Sequence, residues 1–273
     1  MKNAMTNIGV AFAVAAILAA TPVVSAAEDA ADAAPLSASL DLPILSAYVW
    51  RGQVLNDEAV IQPSFTVSKG GFSLNYWESF NLTDAVTGDA YEFSEHDIAL
   101  SYSALCPLTG ANLTLGVVNY DFPNQSIPVG DVHEGHSSLV NDTREAYFVA
   151  TFEKCPVTPS LYVYYDFKEA DSFYLTLGFS HTFTLNDEVG LGMAFSSGWA
   201  DKRYNEFYFD VNDSTFEDGN VTLSLPIKAG DSLLITPAVQ YTWLWDSDLK
   251  DAADVQYKDK DQVVASLKAV YTF

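Results

Sequence analysis

The chain has 273 residues, of which 49% are hydrophobic and 14% aromatic, with 36 acidic against 13 basic residues. The formal net charge of −23 argues against nucleic acid and anionic lipid headgroups as partners, because both repel an acidic surface. Length alone allows one large all-β domain or two smaller units.

The first element is a secretory signal peptide over residues 1–26. Lys2 precedes an apolar run from Ile8 to Ala20, and the small residues "VSA" that follow are typical of a cleavage site. The run is shorter than the roughly 20 apolar residues of a membrane-spanning helix, and no later segment of the sequence approaches that length. Cleavage leaves 12 basic and 36 acidic residues. We expect a periplasmic leader over residues 27–35 and one domain over residues 36–273.

Twelve segments with period-2 alternation follow, and none has helical periodicity. They run from Leu36 to Arg51, Ala59 to Ser68, Phe72 to Phe80, Phe93 to Leu105, Ala111 to Phe122, Arg144 to Phe152, Leu161 to Phe167, Ser172 to Phe183, Glu188 to Trp199, Asn220 to Ile227, Ser232 to Trp245 and Asp261 to Phe273. Bacterial single-chain barrels have even strand numbers. Most even-numbered segments end in tight links, and most odd-numbered ones in long polar links, which indicates short periplasmic turns and long extracellular loops.

Alternation also fits a soluble sandwich or a lipocalin-like barrel, whose apolar face points inward. Two features favour a membrane barrel: one face of segments such as Phe173 to Phe183 is nearly uncharged, and the opposite face is small or polar. A weaker third feature is aromatic residues near strand ends, which predict an interfacial girdle: Tyr48, Trp50, Tyr76, Trp77, Tyr120, Phe122, Trp199, Tyr241, Trp243 and Trp245. The sequence therefore predicts an all-β fold, a transmembrane antiparallel up-and-down β-barrel of about 12 strands.

Cys106 and Cys155 each precede a proline in a predicted periplasmic turn. An even pair in an exported chain favours a disulfide over a zinc site, because two ligands make a poor zinc site. We therefore predict a bridge that ties two neighbouring hairpins together.

The last segment, "QVVASLKAVYTF", has apolar residues at alternate positions and ends with Tyr271 and Phe273. It resembles the C-terminal signal by which the barrel assembly machinery recognises outer-membrane barrels, which makes that machinery an expected partner. "LSAYVWRGQ" followed by "IQPSFTVSKGGFSLNYW" is similar to the opening of the TorF-type porin family, and "YNEFYFDV" resembles part of the MltA-interacting scaffold protein family. Both resemblances imply a barrel of this size.

Alternation places one set of residues on the lumen side, where they would set selectivity if the lumen conducts. The set is Asp41, Arg51, Tyr162, Tyr164, Asp166, Gln240 and Lys268. The alternative is that these side chains and folded-in loops fill a closed barrel. A guanidinium inside the barrel needs a partner, so we expect an ion pair between Arg51 and a lumen carboxylate.

The loop "GDVHEGHSS" contains His133, Glu134 and His136, but three-residue spacing without a helix is a weak metal signal, and a solvated loop explains it better. His136 and Ser138 have the spacing of a hydrolase dyad but lie in a loop. The sequence thus predicts no catalytic residues, no metal site, no cofactor and no enzyme activity.

These features lead to one expectation about function and one alternative. The expectation is a porin-like channel in a Gram-negative outer membrane, surrounded by lipid, for passive diffusion of small solutes or cations biased by acidic loops. The alternative is a non-conducting barrel that serves as a scaffold for a periplasmic or cell-wall enzyme, with a periplasmic protein partner. A hydrolase that depends on Ser138 is the third hypothesis.

Overall fold

The computed structural model describes residues 35–273 except 84–89, 124–126, 130–137 and 258. The predicted signal peptide lies outside the described residues, as do His133, Glu134 and His136. No helix in the described part of the chain has the length and apolar character needed to span a membrane.

The described residues form 18 strands and two short helices. The strands are β1 (Ser37–Leu45), β2 (Tyr48–Trp50), β3 (Gln53–Asn56), β4 (Val60–Ile61), β5 (Ser64–Lys69), β6 (Phe72–Asn81), β7 (Phe93–Leu105), β8 (Asn112–Asp121), β9 (Ile127–Val129), β10 (Ser138–Val140), β11 (Asp142–Thr151), β12 (Thr158–Asp166), β13 (Ser172–Thr184), β14 (Gly190–Ala200), β15 (Thr215–Ser224), β16 (Ile227–Lys228), β17 (Leu233–Leu244) and β18 (Asp261–Thr272). The helices are α1 (Lys202–Phe209) and α2 (Ser247–Gln256).

The main sheet closes on itself as an antiparallel barrel of twelve strands. Each barrel strand pairs with its sequence neighbours, β15 pairs with β17, and β1 closes the ring against β18 through pairs such as Ser39↔Thr272. Strands β4 and β5 together form one barrel strand that is interrupted at Pro63, because proline has no N–H to donate to the ladder. The predicted fold class, a closed twelve-strand antiparallel barrel, is confirmed.

The two faces of the barrel have opposite polarity. Large apolar side chains point outward and stay exposed, for example Leu42 at 45%, Ile98 at 54% and Leu115 at 64%. Inward positions are small or polar and are buried, including Ser39, Thr66, Asn75, Thr114, Ser196, Thr222 and Thr236. A soluble barrel would have the reverse arrangement, so this polarity matches a barrel that faces hydrocarbon.

The two ends of the barrel differ in the length of their connections, which are mostly long at one end and short at the other. We call the end with the described residues 46–59, 82–83, 90–92, 122–123, 127–129, 138–141, 167–171, 201–214, 245–257 and 259–260 the loop end. The opposite end, with residues 70–71, 106–111, 152–157, 185–189 and 225–232, is the turn end. This matches the expected alternation of long and short connections.

The loop end contains helices that the alternation analysis missed. The Asp201 carboxylate caps α1 by accepting hydrogen bonds from two backbone N–H groups, and Asp246 caps α2 in the same way. The segment "YNEFYFDV", on which one family resemblance rests, begins inside α1. Aspartate before a short amphipathic run was the signal for both helices.

The largest departure from the sequence prediction lies in the first segment. Strand β1 ends at Leu45 and not at Arg51, and residues 47–56 instead form a separate hairpin of β2 and β3. All ten of these residues are buried. We call this element the inward hairpin.

The structure also corrects the predicted disulfide and the predicted aromatic girdle. Cys106 and Cys155 are free thiols, so the predicted disulfide is wrong. The two turns approach each other at Gly110, where an added Cβ would lie 3.5 Å from the Lys154 Nζ. The predicted girdle is also partly wrong, because Tyr48, Trp50, Trp77, Tyr120 and Phe122 are buried.

The tenth predicted segment, Asn220 to Ile227, is displaced. The observed strand β15 starts at Thr215 and ends at Ser224, before Pro226. Glu217 and Asp218 resemble loop residues in the sequence, but a register shift opposite Gly198 lets both carboxylates face inward.

Candidate functional site

The barrel interior is the candidate functional site, and the inward hairpin is its central element. The hairpin pairs Trp50 with Gln53, which leaves Arg51 and Gly52 as the two turn residues. Both have positive φ, 47° and 77°, as a type I′ turn requires. A Cβ at Gly52 would lie 2.4 Å from the Leu244 Cδ2, so glycine also allows the tip to reach β17.

Arg51 is held by one carboxylate and a cage of aromatic rings. Its two terminal nitrogens each donate to one Glu145 oxygen at 2.7 Å, and the side chains are 6% and 1% exposed. Its Cζ lies 4.7 Å from the Trp50 ring centroid, 4.4 Å from Tyr164 and 4.3 Å from Tyr174. A planar guanidinium suits both the bidentate pair and the ring contacts.

The ion pair keeps the guanidinium charged despite its burial. Burial alone lowers the pKa of Arg51, but the adjacent Glu145 carboxylate outweighs that effect and holds the pKa well above its ordinary value. Glu145 also accepts a hydrogen bond from the Tyr120 hydroxyl at 2.7 Å. Arg51 is therefore a fixed positive charge in the lumen.

Aromatic side chains fill the lumen around the inward hairpin at the loop end. Trp50 contacts Tyr120 at a centroid distance of 6.0 Å and Tyr208 at 5.2 Å, and Tyr204 contacts Tyr208 at 4.5 Å. Trp50 is 4% exposed and the three tyrosines are at most 1% exposed. The loop end of the lumen is thus packed with side chains.

All seven predicted lumen residues lie inside the barrel or point into it. Arg51 and Tyr164 meet in the cage, and Asp166 accepts from the Thr143 hydroxyl at 2.6 Å. The other four are distributed along the lumen wall: Asp41, Tyr162, Gln240 and Lys268. Lys268 lies near enough to Asp41 for the two charges to interact. The structure does not bring the seven together as one site.

The interior has a large excess of acidic over basic side chains. Among the described residues, seven carboxylates and a single guanidinium, that of Arg51, are buried. The carboxylates belong to Asp41, Glu95, Asp97, Glu145, Asp166, Glu217 and Asp218. Because unpaired buried charge is costly, these carboxyl groups need either protons or compensating positive charge.

Several interior residues were not predicted, among them Glu145 and Tyr204. Glu145 lies at an inward position of β11, where the sequence shows no clear apolar face. The lack of an apolar face was itself a signal that a polar side chain of β11 points into the lumen, since both faces of the strand carry polar side chains. Tyr204 could not be placed, because its position depends on α1 folding over the lumen.

Tyr271 and Phe273 lie at the turn end, next to the β1–β18 closure. They are 44% and 71% exposed, and their rings are 5.0 Å apart. The pair therefore forms an outward aromatic edge of the barrel at this end.

A closed barrel with an apolar outer face and a polar interior is the architecture of an outer-membrane porin. Solved structures share this fold: a structure titled "KdgM porin" has a TM-score of 0.51 at 10% identity and covers 86% of this chain and 99% of its own. A "KdgM porin in complex with disordered oligogalacturonate" has a TM-score of 0.50 at 9% identity, with 87% and 99% covered. At these identities the likeness shows the fold alone.

The family is shown by sequence. Residues 29–225 match the family described as "Bacterial protein of unknown function (Gcw_chp)", and the chain belongs to that family. No curated protein matches the sequence. The resemblances to the TorF-type porins and to the MltA-interacting scaffold protein stay predictions.

Proposed function

We propose that the protein is an outer-membrane channel through which small solutes diffuse passively, with a preference for cations. The observation that carries this proposal is the closed barrel with apolar side chains outside and seven buried carboxylates inside. The bilayer would surround the outward band, and the Tyr271–Phe273 edge would serve as the signal read by the assembly machinery.

The interior charge also bears on the solute. The KdgM complex contains oligogalacturonate, which is a polyanion. Arg51 is already paired with Glu145, and the other six buried carboxyl groups would repel such a ligand in this chain when they are ionised. We therefore infer small neutral solutes and cations as the permeating species.

The inward hairpin must be part of the mechanism, because it occupies the lumen at the loop end. Transport then requires either a narrow gap beside the hairpin or its displacement. The inward polar residues toward the turn end would line the rest of the path, with Asp41 and Lys268 as charged positions that tune selectivity.

The test is the reversal potential of the refolded protein in a planar bilayer under a salt gradient. We expect a cation-selective potential that moves toward zero when Asp248 and Asp251, both exposed on α2 at the loop end, are replaced by lysine. Asp187→Lys, in an exposed turn at the other end, is the matched control and should have the smaller effect. Conducting protein whose selectivity ignores the loop charges would contradict the cation bias.

The filled loop end favours one second candidate, a non-conducting barrel that serves as a scaffold for a periplasmic or cell-wall enzyme. Folded protein that stays silent in the bilayer, and that co-purifies with a periplasmic partner, would support this candidate over the channel.

A further inference from the structure

We propose that Glu145 and the tyrosine rings around it form a binding site for guanidinium-bearing solutes, and that Arg51 occupies this site as a tethered substitute for such a solute. The inference rests on the proposed channel, because a solute reaches the site only through the lumen. It goes further by naming the class of cation and the groups that select it. We call the site the guanidinium pocket, and its members are Tyr120, Glu145, Tyr164, Tyr174 and Tyr204.

The guanidinium pocket belongs to the barrel and its loop-end helix, not to the inward hairpin. Glu145 lies on β11, and the tyrosines lie on β8, β12, β13 and α1. Of the four rings over the Arg51 guanidinium, Trp50 alone comes from the hairpin. The hairpin forms a separate two-stranded sheet. The carboxylate and the tyrosine rings therefore stay in place if the hairpin moves away.

The contacts in the pocket match the shape of a guanidinium group and not merely its charge. Two hydrogen bonds of 2.7 Å join the two terminal nitrogens of Arg51 to the two oxygens of Glu145. The Arg51 Cζ lies 4.4 Å from the Tyr164 ring centroid and 4.3 Å from that of Tyr174. An alkylammonium group offers neither a planar fork for the two carboxylate oxygens nor a flat face for the rings. The pocket should therefore select guanidinium over ammonium.

The pocket is held in shape by hydrogen bonds that do not involve the hairpin. The Tyr120 hydroxyl donates to a Glu145 oxygen at 2.7 Å, which orients the carboxylate. The Tyr174 hydroxyl donates to an Asp218 oxygen at 2.6 Å, which fixes that ring. A solute that enters would thus meet a preorganised site, and preorganisation lowers the cost of binding.

The backbone at Arg51 indicates that this residue is present for its side chain. Arg51 occupies the first turn position with a φ of 47°, a left-handed conformation that arginine rarely adopts and that asparagine or glycine favours. Non-glycine residues held in this region cluster at functional sites. The hairpin therefore places a guanidinium in the pocket at a cost to its own turn.

A further acidic side chain near the pocket favours a cationic occupant. Glu217 is 0% exposed, and neither of its carboxyl oxygens has a hydrogen-bond partner among the described residues. It lies near enough to Arg51 for the two charges to interact. When Glu217 is ionised, a neutral occupant in place of Arg51 would leave both this carboxylate and Glu145 uncompensated.

A solute must displace Arg51 to reach the pocket. A short tether gives Arg51 an effective concentration in about the millimolar range, so a free solute competes only when it is abundant. The apparent affinity of the wild-type protein is lower than that of the empty pocket, because only molecules with an undocked hairpin can bind. Occupation by a solute would keep Arg51 out and the hairpin released, which couples solute binding to opening of the loop end.

The experiment empties the pocket and then supplies a free guanidinium. Arg51→Asn removes the resident group and gives the turn an Asn-Gly pair, which type I′ hairpins favour. The refolded full chain in detergent is titrated with methylguanidinium chloride, and binding is followed by saturation-transfer NMR of the methyl protons. We expect one saturable site per chain, with an affinity about tenfold or more above that for methylammonium.

Two further variants make the result specific to the pocket. Arg51→Asn/Glu145→Gln keeps the empty space without the carboxylate and should lose about tenfold or more of the affinity for methylguanidinium. Arg144→Asn is the matched control, because Arg144 precedes Glu145 in the chain but is exposed, and it should bind as weakly as wild type. A heat-dependent shift in gel mobility verifies folding. If Arg51→Asn misfolds, Arg51→Gly takes its place, since glycine also suits this φ.

The proposal is overturned if the folded Arg51→Asn protein shows no saturable binding, or if methylammonium binds it equally well. A measurement on the wild type depends on no variant. At equal concentration, methylguanidinium should raise the open fraction in a planar bilayer above that in methylammonium, and equal open fractions in a conducting protein would contradict the displacement of Arg51.

The NMR titration separates this proposal from the channel, because it does not require conduction. A cation-selective channel whose emptied pocket does not bind methylguanidinium would keep the proposed function and refute the site. Binding by a folded barrel that stays silent in the bilayer would support the site and refute the channel.

Discussion

Replacement of Arg51 by glutamine should release the inward hairpin and raise conductance. Arg51 and Glu145 form a bidentate pair at 2.7 Å with both side chains almost completely buried, so solvent screens the pair very little. Removing one partner of such a pair costs about 3–5 kcal/mol, because the remaining charge is left uncompensated. Glutamine can still donate to Glu145, which places the expected cost near 3 kcal/mol.

That cost falls on hairpin docking and not on the barrel. The inward hairpin forms its own two-stranded ladder, separate from the twelve barrel strands. At about 1.4 kcal/mol for each factor of ten, a loss of about 3 kcal/mol lowers the ratio of docked to undocked hairpin roughly 100-fold. The variant should keep its heat-dependent gel shift and show a larger open fraction in the planar bilayer.

Two variants make the comparison specific. Arg144→Gln is the matched control, because Arg144 is next to Glu145 in the chain but exposed, and its Nε donates to Asn119 at 2.9 Å. The double variant Arg51→Gln/Glu145→Gln removes both charges and should close the channel again relative to either single variant. Unchanged conductance in Arg51→Gln, or a double variant at least as open as the singles, would refute the reasoning.

The remaining predictions concern the hairpin tip and the cysteines. Gly52→Ala should open the channel in the same direction as Arg51→Gln, because its Cβ would lie 2.4 Å from Leu244 in a φ of 77°. Gly230→Ala, also at positive φ but with no atom within 4 Å, controls for backbone strain, and equal conductance of the two variants would contradict the steric argument. Cys106 and Cys155 should both react with a maleimide without prior reduction, giving two labels per chain by mass spectrometry. Fewer than two labels on unreduced protein, restored to two by a reductant, would show that a disulfide forms after all.

Strand number and overall architecture followed from the sequence because the alternation of side chains is a local property. Strands such as β13, with Phe173, Leu175, Leu177 and Phe179 on one face, specify an apolar outer surface in any register. The tight turns are also specified locally. Gly70 and Gly71 mark one of them in the sequence, because glycine readily adopts the positive φ that both residues have in this turn. A closed ring of twelve strands required no further information.

The same local reasoning failed where polar segments fold into the lumen. "TFEDGN" looks like a loop, yet it starts β15, because inside a barrel a carboxylate can face inward on a strand. "YVWRGQVLN" looks like the end of β1, yet it turns back on itself to form the inward hairpin. Alternation gives the two faces of a segment, but it does not say where a chain leaves the sheet.

The sequence by itself determined the barrel, its outward apolar band and the presence of Arg51 inside. Only the tertiary structure decided what Arg51 meets, because its carboxylate lies 94 positions away in the chain and its cage combines Trp50 with rings from β12, β13 and α1. These contacts join residues far apart in the chain, and they form only when the barrel is closed and the inward hairpin and α1 fold into its lumen.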